Sequence, residues 1–395
     1  MQEELTGPLN HDQDAICAPM LQLQGVASAD GGRLRINRIQ VLGVNEQFDM
    51  IADTSSFFGN LSADEVIISE NLAQRLEVGA GDFIMLRIRK ASVMPMNTPF
   101  VSSIHTTVSA RVRVKAIAGV PALGRFSLKI SQTAPFNIFI SLDHLNRIMD
   151  LEDKANLILI SYDGSLQPGE ISASLRKTWR PSDAGLKIRE IKALEEIELY
   201  ADRVFIEPAI IEAFQIPGAD QHEVLTYFVN SITAGTKQTP YSFVSTLSAG
   251  QNTGISKKEL LAASTRDRIP DEDGIMVNQW LASDLGVVPG DTVRLEYFVP
   301  GPLRRLEEHV VSLKVEGVVP IKGLFADMNL MPELPGLSDA GHCRDWEAGI
   351  PIDLEKIRDK DEDYWNQFRG TPKAFISLQT AVRLWKNRFG DYTAI

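Results

Sequence analysis

The chain says nearly the same thing twice. Residues 66–86 read VIISENLAQRLEVGAGDFIML, and residues 275–295 read IMVNQWLASDLGVVPGDTVRL. Superposing the two pairs Leu72 with Leu281, Ala73 with Ala282, Leu76 with Leu285 and Val78 with Val287. It also pairs Gly81-Asp82 with Gly290-Asp291, and Leu86 with Leu295. A repeat on this scale makes the half-chain, not the chain, the unit of folding. Two further segments recur in the same order. VKAIAGVPALGRF, from Val114 to Phe126, resembles LKVEGVVPIKGLF, from Leu313 to Phe325. FISLDHLNRIM, beginning at Phe139, returns as FISLQTAVRLW beginning at Phe375, with Arg147 matching Arg383.

These matches predict two tandem modules, residues 1–205 and 206–395, parted within Glu190–Gln215, a stretch that reads as a helical connector broken at Pro208. The expected class is α+β, each module a mixed or antiparallel sheet with helices packed on it. In each copy a short β-prone run leads to a capping residue, Ser69 or Asn278, and then to an amphipathic helix. Glycine and aspartate then signal a turn, and a strand follows. The openings, Met20–Val26 with Leu34–Leu42 and Leu225–Ser231 with Tyr241–Val244, match by pattern alone. The second copy carries an insertion of about forty residues, near 326–372, of a kind that surface loops absorb.

Net charge is −12 over 395 residues, and no basic run with interleaved aromatics is present. That balance argues against a nucleic-acid groove, which needs clustered Lys and Arg. Two cysteines, Cys17 and Cys343, are too few for a disulfide framework. No apolar run is long enough to span a membrane, and MQEELTGPLNHDQD lacks the pattern of a signal peptide. After FISLQTAVRLWKNRFG the chain stops where the first copy continues into an apolar strand, Ala155–Ile160. The expectation is a fragment of a longer protein.

Partial chemical motifs are present without their companions. Ser174 and Lys177 form S-x-x-K on a predicted helix, but the S-D-N and K-T-G partners of penicillin-recognising enzymes are missing. Gly119 and Gly124 have phosphate-loop spacing, yet Arg125-Phe126 replaces the required Lys and hydroxyl. Asp359, Asp361 and Asp363 alternate like a calcium loop, but Tyr364 and Gly370 stand where Gly and Glu are needed. A solvated acidic loop is the expectation there. His342-Cys343 with Asp339 and Asp345 offers metal-binding types, but adjacent ligands rarely reach one ion together. No catalytic, cofactor or metal residue is assigned, and a binding or transmitting role is expected over catalysis.

The segment Ser69–Asp82, read with the Phe-Ile-Ser-Leu strand, resembles the extracytoplasmic core domain of bacterial ABC-transporter permeases of the FtsX-like (MacB-like) family. Its ENLAxxLGVxxGDxxxL signature is matched by Asn71, Leu72, Ala73, Leu76, Gly81 and Asp82, and again by Leu281, Ala282, Leu285, Gly290 and Asp291. The resemblance covers most of residues 20–165 and 220–395. It implies a periplasmic, non-enzymatic domain present twice, transmembrane helices flanking this stretch, and a cytoplasmic ABC ATPase as partner. A lipid, lipoprotein, peptide or protein of the envelope would be what it handles, with no cofactor and no nucleic acid. The alternatives are an envelope hydrolase using Ser174 and Lys177, or a stand-alone binding protein. The signature residues are expected to be scaffold. The apolar, proline-rich loops Met94–Phe100 and Gly323–Asp345 are the expected contact surfaces.

Overall fold

The structure is a computed structural model. It describes residues 15–89, 107–151, 153–162, 168–192, 195–215, 218, 221–247, 270–301, 306–334, 336–346 and 350–395. The loop Met94–Phe100 lies outside the described residues. The chain divides into two compact units that part between Ala184 and Gly185.

The first unit is built on β1 (Ala15–Ala29), β2 (Leu34–Val44), β3 (Glu65–Ser69), β4 (Phe83–Arg89), β5 (Thr107–Ala118) and β6 (Asn137–Ser141). These run β2-β6-β3-β5-β4-β1, and β1 pairs again with β2, so the sheet closes on itself. β7 (Leu157–Tyr162) adds to the first residues of β1. Alternation along the strands sorts the side chains. Val66 and Ile68 join the interior cluster with Leu86, Val114 and Ile140, while Ile67 and Phe139 face outward beneath α1 (Glu46–Ile51). The helices α2 (Glu70–Leu76) and α3 (Leu142–Met149) turn Leu72, Leu76, Leu145 and Met149 into the same interior cluster. The unit ends with α4 (Pro168–Thr178) and a 3-10 turn, Pro181–Ala184.

The second unit opens with a hairpin, β8 (Leu186–Ile191) and β9 (Glu196–Ala201), then α5 (Pro208–Ala213). The helical connector expected over Glu190–Gln215 is therefore a strand for its first part. The alternation of Glu196 to Ala201 pairs with β8, and only the residues after Pro208 wind up. The barrel follows: β10 (Tyr227–Ala234), β11 (Lys237–Leu247), β12 (Gly274–Asn278), β13 (Thr292–Pro300), β14 (Leu306–Val319) and β15 (Ala374–Ser377). It closes in the order β10-β11-β15-β12-β14-β13. Strand for strand this is the ring of the first unit. The mixed sheets expected from sequence are thus two closed barrels, and closure leaves no exposed sheet edge within the ring.

The registers show how deep the duplication goes. β3 and β5 run parallel with a bulge between Val66 and Ile67; β12 and β14 run parallel with a bulge between Ile275 and Met276. Because Val66 pairs with Val114 and Ile275 with Val315, the strand equivalent of Val114 is Val315, not Leu313. The opening strands are also equivalent: Leu23 pairs with Val41 as Tyr227 pairs with Val244. Tyr392 to Ala394 bridges to Ile206, Tyr200 and Val224, and Ile395 exchanges both backbone hydrogen bonds with Leu199. Among the described residues no helix is long and apolar enough to cross a membrane.

Candidate functional site

The signature segment is a joint between helix and barrel, built twice. Asp82 Oδ2 accepts the Gly79 N–H at 2.8 Å, and Asp291 Oδ2 accepts the Val288 N–H at 2.8 Å. Gly81 donates to the Val114 carbonyl and Gly290 to the Val315 carbonyl, each at 2.7 Å. Both glycines have φ near +100° (+97° and +105°), where a side chain is strained. Leu72, Ala73 and Leu76 are buried, as are Leu281, Ala282 and Leu285 of α6 (Gln279–Leu285). Asn71 donates to the Pro135 carbonyl at 3.0 Å and ties α2 to the chain entering β6. Asn278 caps α6 through the Leu281 N–H at 2.8 Å. Ser69 stands at the matching position, but its hydroxyl accepts the Asn137 N–H at 3.0 Å instead.

The S-x-x-K pair lies on α4, one turn apart. The Ser174 carbonyl accepts from the Thr178 hydroxyl, and among the described residues no base is hydrogen-bonded to the Ser174 hydroxyl. Gly119 and Gly124 close a turn after β5, with the Gly124 N–H on the Gly119 carbonyl at 2.9 Å. The expected acidic loop at Asp359–Asp363 is instead the start of a helix, α7 (Asp359–Phe368). Asp361 is buried there, and its carboxylate accepts the Arg358 backbone N–H at 3.0 Å; three carboxylates in the first turn complement the helix dipole. His342 Nδ1 lies 2.8 Å from Glu362, while Asp339 accepts the Gly336 N–H. Among the described residues no group of three or more ligating side chains could hold a metal. Cys17 and Cys343 are both buried.

The insertion of the second module is where the two copies part. Far from projecting as a loop, Gly323–Asp345 turns inward: Leu324, Phe325, Leu330, Leu334, Leu337 and Cys343 are all buried. Much of the expected apolar contact surface is spent on the module's own core, while Met328 stays 53% exposed. Trp346 and Trp365 meet edge to face at 5.1 Å, and Phe228 and Tyr241 of the barrel stack at 5.9 Å beside them. The Tyr241 hydroxyl accepts the Asp353 N–H at 2.7 Å. Such aromatic packing holds a long excursion against the barrel.

At the base of this insertion sits Lys373, 5% exposed. Its ammonium lies 4.3 Å from the Trp280 ring, 4.8 Å from the Tyr364 ring and 3.8 Å from Asp361. Burial depresses its pKa to about 8, with Asp361 pulling the other way. Burial, then Glu362, pushes the Cys343 thiol up to about 12, so it is no nucleophile near neutrality. Arg358 grips Asp361 at 2.7 Å and reaches Asp284 at 2.7 Å; Thr239 and Lys360 also bond Asp284. Burial raises the Asp284 pKa, but bonds from Lys360, Thr239 and Arg358 outweigh it and hold the group below the usual range. A cavity of ≈ 20 Å³ lies among Tyr241, Cys343, Trp346, Tyr364, Trp365 and Lys373, room for one water-sized guest. The arrangement clasps the insertion to the barrel and presents no nucleophile–base pair. Sequence reasoning passed over Lys373, Asp284 and Arg358. The one available signal was a lysine directly before a short strand that begins Ala-Phe-Ile.

No protein-family model and no curated protein matches the chain. Solved structures do match it. The chain is similar to extracellular domains of ABC-transporter permeases. The extracellular domain of the noncanonic ABC-type transporter YknZ from Gram-positive bacteria aligns with 44% of this chain and 78% of its own length. Identity is 11% and the TM-score 0.28. The periplasmic region of MacB from Actinobacillus actinomycetemcomitans aligns with 56% of this chain and 85% of its own, at 10% identity and a TM-score of 0.31.

Proposed function

We propose that this chain is the extracytoplasmic portion of an ABC-transporter permease, at the outer face of a bacterial inner membrane. It would handle a lipid, lipoprotein, peptide or partner protein without itself catalysing a reaction. The observation that carries this reading is the signature joint. A short helix carrying Leu-Ala, the Gly-Asp turn and the following strand occur at the same point of two barrel rings of the same strand order, held by equivalent hydrogen bonds. A rigid joint between helix and barrel suits a domain that passes motion onward. In this reading transmembrane helices flank the described stretch, and a cytoplasmic ATPase subunit supplies the motion.

The test is the complete reading frame expressed with its genomic neighbours. Apolar segments of about twenty residues should adjoin this stretch. An ATP-hydrolysing subunit should co-purify in detergent, with activity that changes when the signature turn is loosened by Gly81→Val. A reading frame without such segments, or a purified complex without ATPase activity, would remove the proposal.

A further inference from the structure

One face of the first barrel carries a charge its twin lacks. On the outer surface β2, β1, β4 and β5 lie side by side, and their registers set the residues in rows. Arg35, Ser28, Met85 and Arg111 form one row, and Asn37, Val26, Arg87 and Ser109 the next. Arg89, Arg113 and Lys115 extend the array along β4 and β5, all exposed. Neighbouring strands are about 4.8 Å apart, so this is a dense field of cations in a chain of net charge −12. Glu65 opposes part of it, holding Arg113 at 2.6 Å and Lys115 at 3.3 Å. Among the described residues no carboxylate pairs with Arg35, Arg87, Arg89 or Arg111.

The second barrel is an internal control. The same registers place Gln238, Glu296, Phe298, Ser312, Lys314 and Glu316 at the positions of Arg35, Arg87, Arg89, Arg111, Arg113 and Lys115. Six positive charges become one positive and two negative, and Glu296 is matched by Arg294 at 2.9 Å. The fold therefore does not require the cations. Like charges on adjacent strands also repel, so they cost the first module stability. Phe83, Met85 and Ile117 stand exposed among them, at 49%, 40% and 39%.

We infer that this face docks on an anionic phospholipid bilayer. Guanidinium groups match phosphate in charge and shape. The apolar side chains between them suit the boundary between headgroup and acyl chain. Both β4 and β5 are already paired on each side, so the face offers no free strand edge to an extended peptide. What remains is a broad array of side chains, suited to an array of headgroups. The inference goes beyond the transport reading, and vesicle binding tests it without ATP or a partner subunit.

The experiment is sedimentation of the whole chain with vesicles of phosphatidylcholine, alone or with about one part in four phosphatidylglycerol. Binding is expected only to the anionic vesicles and should fade as salt shortens the Debye length. Exchanging Arg87→Glu and Arg111→Ser installs what the second barrel carries at those positions, and should weaken binding about tenfold or more. Arg35→Gln alone should weaken it a few-fold. The pair Arg176→Glu and Lys177→Ser on α4 changes net charge equally and should leave binding intact. Circular dichroism confirms folding of each variant. Equal binding by the Arg87/Arg111 exchange, or no preference for anionic vesicles, overturns the inference. Capture of polyglutamate in place of vesicles would do the same, assigning the face to an acidic protein.

Discussion

Lys373 occupies in the second module the position that Asn137 holds in the first. Each directly precedes or begins the strand carrying the Phe-Ile-Ser motif, since Ile67 pairs with Phe139 as Met276 pairs with Phe375. Both are buried. Asn137 spends its amide on the Gly124 and Phe126 carbonyls, at 3.1 and 2.9 Å, which closes a short loop. Lys373 reaches instead into a long insertion. One substitution at a shared position thus accompanies the main difference between the copies.

The ammonium makes the second module's stability depend on pH. A lysine in an unfolded chain titrates near 10.4. Lys373 does so at about 8. Between those values the unfolded chain keeps a proton that the folded one has shed, so stability rises with pH across that window. Cys343 works oppositely. Its folded pKa is raised to about 12, so its contribution is lost as pH climbs from 9 toward that value. The unfolding midpoint should therefore rise from about pH 8 to about pH 9 and then flatten. Lys373→Met should abolish the rise and be neutral or stabilising near neutrality, since an apolar residue removes a buried charge while Arg358 still holds Asp361. An unchanged profile in that variant would assign the rise to other groups.

Asp284 gives the reverse sign. Its depressed pKa contributes stability above the ordinary carboxylate value, and that contribution is lost as pH falls through the folded value. Asp284→Asn should cost about 1–2 kcal/mol near neutrality. The figure is discounted because Lys360 is half-exposed and Arg358 a third exposed. The deficit against wild type should shrink in acid, as read by denaturant titration at several pH values.

The two signature turns should respond alike. Asp82→Ala and Asp291→Ala each remove one carboxylate-to-backbone bond, worth about 1 kcal/mol. Gly81→Ala and Gly290→Ala force a side chain into a left-handed conformation, at about 1–3 kcal/mol. Each change should lower the melting transition of its own module. A variant that left both transitions unmoved would show that the turn is dispensable.

Trp365→Ala should destabilise the second module by about 3–5 kcal/mol, as expected of a large core aromatic. Trp365 is 3% exposed and packs on Trp346. Four of the five tryptophans lie beyond Gly185, so intrinsic fluorescence follows mainly this unit. A loss below 1 kcal/mol would mean that the insertion is not part of the core.

The repeat was legible because helix–turn–strand joints have strict local chemistry. Leu72, Leu76, Gly81 and Asp82 each meet a requirement set within a few residues, and their twins meet it again. Barrel closure was not legible, since pairing β1 with both β2 and β4 depends on strands far apart in sequence. The two-residue correction that matches Val114 to Val315 has the same origin: a shift of two residues preserves the alternating apolar pattern, so only the strand pairing fixes the register. The stretch Glu196–Ala201 read as helix because its acidic and aliphatic residues suit either state, and pairing with β8 decided it.

The sequence by itself determined that there are two similar α+β modules, where their helix–turn–strand joints lie, and which family they resemble. Those features rest on local propensity and spacing. Only the tertiary structure decided that each module is a closed barrel, that the insertion is core, that Lys373 is its buried clasp, and that one barrel face is a field of cations. Each depends on side chains that meet from separate strands, and no reading along a single chain brings Arg87 beside Arg111, or Lys373 beside Trp280.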